Sequence, residues 1–164
     1  MYVADIMTEH PVTIRSHGTL RRALELMDSH SCRHLPVISV DGHLVGIVSD
    51  RDCRLALNSP TVLRERWQDD TVTNQTAMRA IMSPAPIIVE PDMPAHEAAR
   101  LMLNHNISAL PVMRGETLIG IVTTSDVLMA FLRSQTRPNT NGLTQNGNGT
   151  INGKAYEMSR ISLT

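Results

Sequence analysis

The chain repeats itself. LVGIVSDRD at residues 44–52 returns as LIGIVTTSD at 118–126, keeping Leu, Gly, Ile, Val and the final Asp. The likeness extends upstream. DIMTEHPVTI (5–14) answers to AIMSPAPIIV (80–89), and CRHLPVI (32–38) answers to ISALPVM (107–113), so that Met7 pairs with Met82 and Pro36 with Pro111 at a spacing of 75. Gly46 and Gly120, like Asp52 and Asp126, are 74 apart. The lost residue falls where SVDGH shortens to RGET, a change that a hairpin turn between two strands tolerates well. The chain is a tandem duplication of a unit of roughly 50–60 residues, too small to bury much surface alone.

Each unit reads in the same order. In GTLRRALELMDSH, Leu20, Ala23, Leu24 and Met27 fall at i, i+3, i+4 and i+7, one face of a helix; Ala95, Ala98, Ala99 and Met102 repeat the stripe in PAHEAARLMLNH. Pro94 stands near that second helix's start, where its missing N–H matters little. HLPVISV, the turn signal Asp-Gly and HLVGIVS predict a β-hairpin. A second helix follows, DRDCRLALNS in one unit and SDVLMAFLRS in the other. The order β-α-β-β-α gives three strands and two helices, which leaves one sheet face short of cover. Two units packed together would hide it.

The calls for the whole chain are a first unit at 1–58, a linker at 59–78, a second unit at 79–135 and a tail at 136–164. In the linker, VLRERW predicts a short helix, with Trp67 covering part of the surface between the units. The tail is rich in Asn, Gly and Thr, buries too little apolar area to repay its ordering, and is expected to be flexible. Within it, KAYEMSRISL (154–163) alternates enough to dock as a strand on a partner.

Composition removes several classes of function. The formal charge is -1 with no long basic run, and aromatic residues are 2% of the chain, which argues against nucleic acid as a partner. No apolar run approaches the ~20 residues of a membrane span, and the first residues lack the order of a signal peptide, so a cytoplasmic location is expected. Cys32 and Cys53 form no CxxC, and no metal-ligand set is visible; His30 and His34 are separated by a helix end. No nucleophile, base and orienter can be assembled, so no catalytic residue is assigned and the chain is read as a non-enzyme. Cys53 reads as a buried structural thiol.

The chemistry lies in Ser49-Asp50-Arg51-Asp52 and Thr123-Thr124-Ser125-Asp126, each a strand-end hydroxyl followed three residues later by an acid at a helix start. One reading is a capping box, in which the hydroxyl caps an N–H and the acid reaches back. The other is a binding site: a carboxylate beside a hydroxyl accepts hydrogen bonds from a ribose diol, and a helix start favours phosphate. Arg51 would reach phosphate in the first unit. Ser125 stands there in the second, so a second site is expected to prefer fewer charges.

These motifs, in this order and at this spacing, resemble a tandem pair of cystathionine β-synthase (CBS) domains, a Bateman module, over about residues 1–133. The resemblance implies an α/β fold of two tandem β-α-β-β-α units packed sheet to sheet with pseudo-twofold symmetry. It implies clefts between the units for an adenosine-containing ligand: AMP, ADP, ATP, S-adenosylmethionine or NAD, as a regulatory ligand and not an obligatory cofactor. The family's hydroxyl and acid fall on Ser49 and Asp52 and on Thr123 and Asp126, with Arg51 and Ser125 beside them. Thr13 with His34, and Ile88 with Ala109, would frame the base. Ile88 lacks the hydroxyl of Thr13 and Ala109 lacks a polar group, so the second cleft is expected to be weaker or empty. A homodimer that signals to an unidentified protein effector in trans is implied. The alternative is a dimerisation module without a ligand, its Ser/Thr-x-x-Asp sets serving only as caps.

Overall fold

A computed structural model of the protein describes residues 1–57 and 66–135. The calls on the tail at 136–164, and on most of VLRERW, lie outside the described residues. The first half runs β1 (Thr8–Glu9), β2 (Ile14–Arg15), α1 (Leu20–Ser29), β3 (His34–Ile38), β4 (Leu44–Ser49) and α2 (Asp50–Leu57). The second runs α3 (Arg66–Gln75), β5 (Ser83–Pro84), α4 (Ala95–His105), β6 (Ala109–Arg114), β7 (Thr117–Thr123) and α5 (Thr124–Gln135). The expected order is present in the first unit as β2-α1-β3-β4-α2 and in the second as α4-β6-β7-α5, where the leading strand is reduced to a single bridge from Val89 to Val112.

The helical stripes do the burying. Leu20, Ala23, Leu26 and Met27 of α1 pack with Leu35, Val37 and Val48 of the β3–β4 hairpin. Ala98 and Met102 of α4 pack with Leu110, Val112 and Val122 of the β6–β7 hairpin. Thr19 caps α1 by accepting the Arg22 N–H at 3.3 Å, and Asn106 ends α4 in the left-handed region at φ 52°. Both hairpins carry the same irregularity, after Val37 in one and Val112 in the other. Gly42 and Gly115, at φ 89° and 58°, make the two turns.

The two units are locked by an exchange of their leading segments. β1, from the start of the chain, pairs with β7 of the second hairpin, and β5 pairs with β4 of the first. The sheets are therefore ordered β2-β3-β4-β5 and β1-β7-β6. Val3 and Ala4 donate to the carbonyls of Met93 and Pro91 at 2.8 and 2.9 Å; Met78 and Arg79 donate to those of Gly18 and Ser16 at 2.8 and 2.9 Å. Val3 is fully buried in the second core and Met78 in the first. The repeated glycine follows from this: a Cβ on Gly46 would lie 2.5 Å from the Met82 sulfur, and one on Gly120 would lie 2.6 Å from that of Met7. Each methionine of the leader repeat thus sits on the glycine of the opposite unit.

Helix α3 runs well past the short helix expected on VLRERW. Thr71, Val72 and Thr73 are poor helix formers, but Val72 packs on the first core and Asn74 accepts from Arg21 Nε at 2.7 Å, so packing overrides propensity. Among the described residues no helix is long and apolar enough to cross a membrane.

Candidate functional site

The site is built by strand register. In the β3–β4 ladder His34 is the partner of Ser49, and in the β6–β7 ladder Ala109 is the partner of Thr123. Each hairpin thus brings the start of its Leu-Pro strand against the end of its Gly-Ile-Val strand, where a helix begins.

At each helix start the capping box is complete. Ser49 donates to Asp52 Oδ2 from its backbone N–H at 2.8 Å and its hydroxyl at 2.7 Å, while the Asp52 N–H points back to Ser49 Oγ at 3.2 Å. Thr123 and Asp126 repeat this at 2.7, 2.7 and 3.4 Å. Both contacts use the same carboxylate oxygen. Among the described residues, Oδ1 of either Asp has no protein partner. One oxygen holds the helix start, and the other is able to accept a further hydrogen bond.

Two contacts cross between the units at these ends. His34 Nε2 lies 2.8 Å from Ser108 Oγ, and Arg33 Nη2 lies 3.4 Å from Ser125 Oγ. The half-buried His34 ring has its pKa lowered by burial and by the Arg33 charge, against the opposing pull of Asp52 and Asp50. Asp50 is taken by Arg54 in a two-pronged pair at 2.8 and 2.6 Å. Arg51, the residue before Asp52, is exposed. Burial, then the charges of Asp52 and Asp50, push the Cys53 thiol up to about 11, which makes it a poor nucleophile.

The other expected residues are less tightly gathered. Thr13 lines a recess of about 420 Å³ between the hairpin turns, walled by Ile38, Asp41, His43, Glu116 and Leu118; none of the hydroxyl–carboxylate residues lines it. Ile88 is 49% exposed next to Val89, which bridges Val112 in parallel. Ala109 is buried and offers a wall but no hydrogen bond. Sequence reasoning missed Arg33 and Ser108. Their only signal was that they occupy equivalent places, 33 and 108, just before the two Leu-Pro strands.

The CBS domain family model matches residues 3–59 and 78–133, which are the two units. The chain belongs to the CBS domain family. A CBS domain-containing protein of Dictyostelium discoideum is 37% identical over 132 residues, covering 80% of this chain and 91% of that one. The crystal structure of CBSX2 in complex with AMP is similar at a TM-score of 0.66 and 32% identity, covering 82% of this chain and 98% of that one. The CBS domain pair of protein MJ0100, in complex with 5′-methylthioadenosine and S-adenosyl-L-methionine, is similar at 0.68 and 27%, with the same coverage. The fold of this chain is that of a CBS domain pair.

Proposed function

We propose that the protein is a non-enzymatic sensor that binds an adenosine-containing ligand between its two CBS units and signals to a protein partner in trans. The observation that carries this reading is the paired carboxylate with a single oxygen committed to its cap. Asp52 and Asp126 each keep Oδ1 for a ribose hydroxyl, beside a strand-end hydroxyl and close to the contacts that join the units. The adenosyl ligands held by the related CBS pairs support the ligand class, with AMP, ADP, ATP, S-adenosylmethionine and NAD as candidates. Ser49, Asp52, Thr123 and Asp126 are assigned to the ribose, Arg51 and Ser125 to the phosphate side, and Thr13, His34, Ile88 and Ala109 to the base. A ligand that touches both units favours one relative placement of them over others, and a partner reads the difference.

The partner and the place of action belong to the same proposal. Helix α5 exposes Leu128, Met129, Phe131 and Leu132 at 50–58%, and α2 exposes Leu55 at 61%, an apolar surface suited to a homodimer. A cytoplasmic sensor assembled in this way gives its output through the dimer surface or a bound effector.

A second reading has an observation in its favour: both capping boxes close without help from a ligand, as a dimerisation module with structural caps requires. A thermal-shift panel separates the two. AMP, ADP, ATP, S-adenosylmethionine and NAD are compared with a non-adenine nucleotide, with and without Mg²⁺. A ligand at 100 times its dissociation constant adds about 2.7 kcal/mol. A shift with adenosyl ligands alone supports the sensor; no shift with any of them supports the module.

A further inference from the structure

A recess of about 420 Å³ lies where the second unit turns into α4, and none of the hydroxyl–carboxylate residues borders it. Met93, Pro94 and Leu101 give it an apolar lining, and Glu90, Asp92 and Glu97 add three carboxylates. Backbone bonds hold this lining in place. The Met93 N–H closes a turn on the Glu90 carbonyl at 3.2 Å, and the carbonyls of Pro91 and Met93 accept from the leader. Met1 and Tyr2 of that leader continue the apolar surface: both are exposed, the Ala95 N–H donates to the Met1 carbonyl at 3.2 Å, and Tyr2 bridges Pro94. Glu97 is shared by Arg100 at 3.2 Å and His96 at 3.3 Å. The carboxylates of Glu90 and Asp92 have no partner among the described residues. Such a recess fits a peptide that brings apolar side chains with cations beside them.

We propose that residues 154–163 of the same chain, KAYEMSRISL, occupy this recess. Tyr156, Met158, Ile161 and Leu163 supply the apolar side chains, and Lys154 and Arg160 supply cations for Glu90 and Asp92. Glu157, between the two cations, has Arg100 beside Glu97 to face. The stretch 136–153 holds one charged residue, Arg137, and two large apolar ones, Leu143 and Ile151, so only 154–163 joins both chemistries. The chain is long enough. Helix α5 begins where α4 ends, with the Thr124 hydroxyl 3.8 Å from the Met102 sulfur. From there α5 rises about 18 Å to Gln135, and α4 runs back about 12 Å to Pro94. Gln135 and the recess are then no more than about 40 Å apart, however the two helices are inclined, and residues 136–153 span up to about 60 Å when extended. A tether that can span the two makes the contact intramolecular, at an effective concentration in the millimolar range, so that weak docking suffices.

The test is hydrogen–deuterium exchange on the full chain at low salt, with Tm recorded for each protein. Wild type is compared with Glu90→Lys/Asp92→Lys, with Lys154→Glu/Arg160→Glu, and with all four changes together. In wild type the amides of 154–163 exchange about three-fold or more slower than an unstructured peptide of that sequence. Either double change returns them to the free rate, and the four together slow them again because the charges have traded places. The Lys154→Glu/Arg160→Glu protein leaves the described fold untouched, so it answers even where the recess variant loses stability. Free exchange in wild type, protection that either double change leaves intact, or no recovery with all four would each overturn the proposal. Protection that falls on ten-fold dilution would overturn it too, by assigning the segment to the recess of a second copy. None of these outcomes bears on the adenosyl sensor.

Discussion

Gly46 carries the clearest test of the leader exchange. In Gly46→Ala the new Cβ lies 2.5 Å from the Met82 sulfur, against 3.4 Å for the start of ordinary contact, so the sulfur must retreat by about 0.9 Å. A flexible thioether could yield that much alone. It is not alone: the carbonyl oxygen of Ser83 lies 3.0 Å from the same Cβ, and Ser83 belongs to β5, which is bonded to β4 at Gly46 and Ile47. The strand must lift. Overpacking of this kind costs about 1–3 kcal/mol, and the entropy that alanine removes from the unfolded chain returns about 0.4–1 kcal/mol. With central values of about 2 and about 0.7 kcal/mol, the net loss is about 1.3 kcal/mol, a fall of roughly 3–5 °C in Tm for a chain of this size. The assay is thermal unfolding of wild type, Gly46→Ala, Met82→Ala and the double variant. Removing the thioether makes room for the methyl, so the double variant is less destabilised than the two single changes summed, with a coupling of about 1 kcal/mol. Strict additivity, or a Gly46→Ala protein melting at or above wild type, would refute the packing of the first glycine under the second leader.

Val3→Ala, at the third residue, removes two methylenes' worth of fully buried surface from the second core and lowers the unfolding free energy by about 1.5–3 kcal/mol in urea. An unchanged midpoint would show that the leader does not hold that core. Burial and Arg33 keep the His34 pKa below its ordinary 6.5, so the folded protein binds a proton less readily than the unfolded chain. Stability is then complete above about pH 6.5 and falls as the pH drops through the folded pKa. His34→Asn should flatten the decline of Tm between pH 7 and 5, and curves that stay parallel would contradict it. Cys53, buried and held near a pKa of about 11, should resist a thiol reagent at pH 8 until the protein unfolds; rapid labelling of the native protein at Cys53 would deny its burial.

The duplication made much of the architecture legible. The i, i+3, i+4, i+7 stripe of Leu20, Ala23, Leu24 and Met27, the Asp-Gly turn and the two hydroxyl–carboxylate boxes are local patterns, and local chemistry decides them. The exchange of leaders was not legible. Met7 and Met82 are the same residue facing identical glycines, and two-residue strands have no periodicity to distinguish their own unit from the other. Helix α3 escaped because Thr71, Val72 and Thr73 carry weak helix propensity and are held by contacts with α1 that the sequence does not display. At the candidate site, the capping geometry of Ser49–Asp52 and Thr123–Asp126 was readable because it spans three residues. Arg33 and Ser108 were not, since their importance comes from contacts across units, 92 residues apart for Arg33 and Ser125.

The most direct test of the sensor compares AMP binding by the wild type and by the double variant Asp52→Asn/Asp126→Asn, with Tm recorded for both. The substitutions keep an acceptor for each cap and change the carboxylate oxygen left to the ribose. The account predicts AMP binding by the wild type, loss of binding in the double variant, and two Tm values within a few degrees of each other. A double variant that binds AMP as tightly as wild type, or a wild type that binds no adenosyl ligand at all, would contradict it.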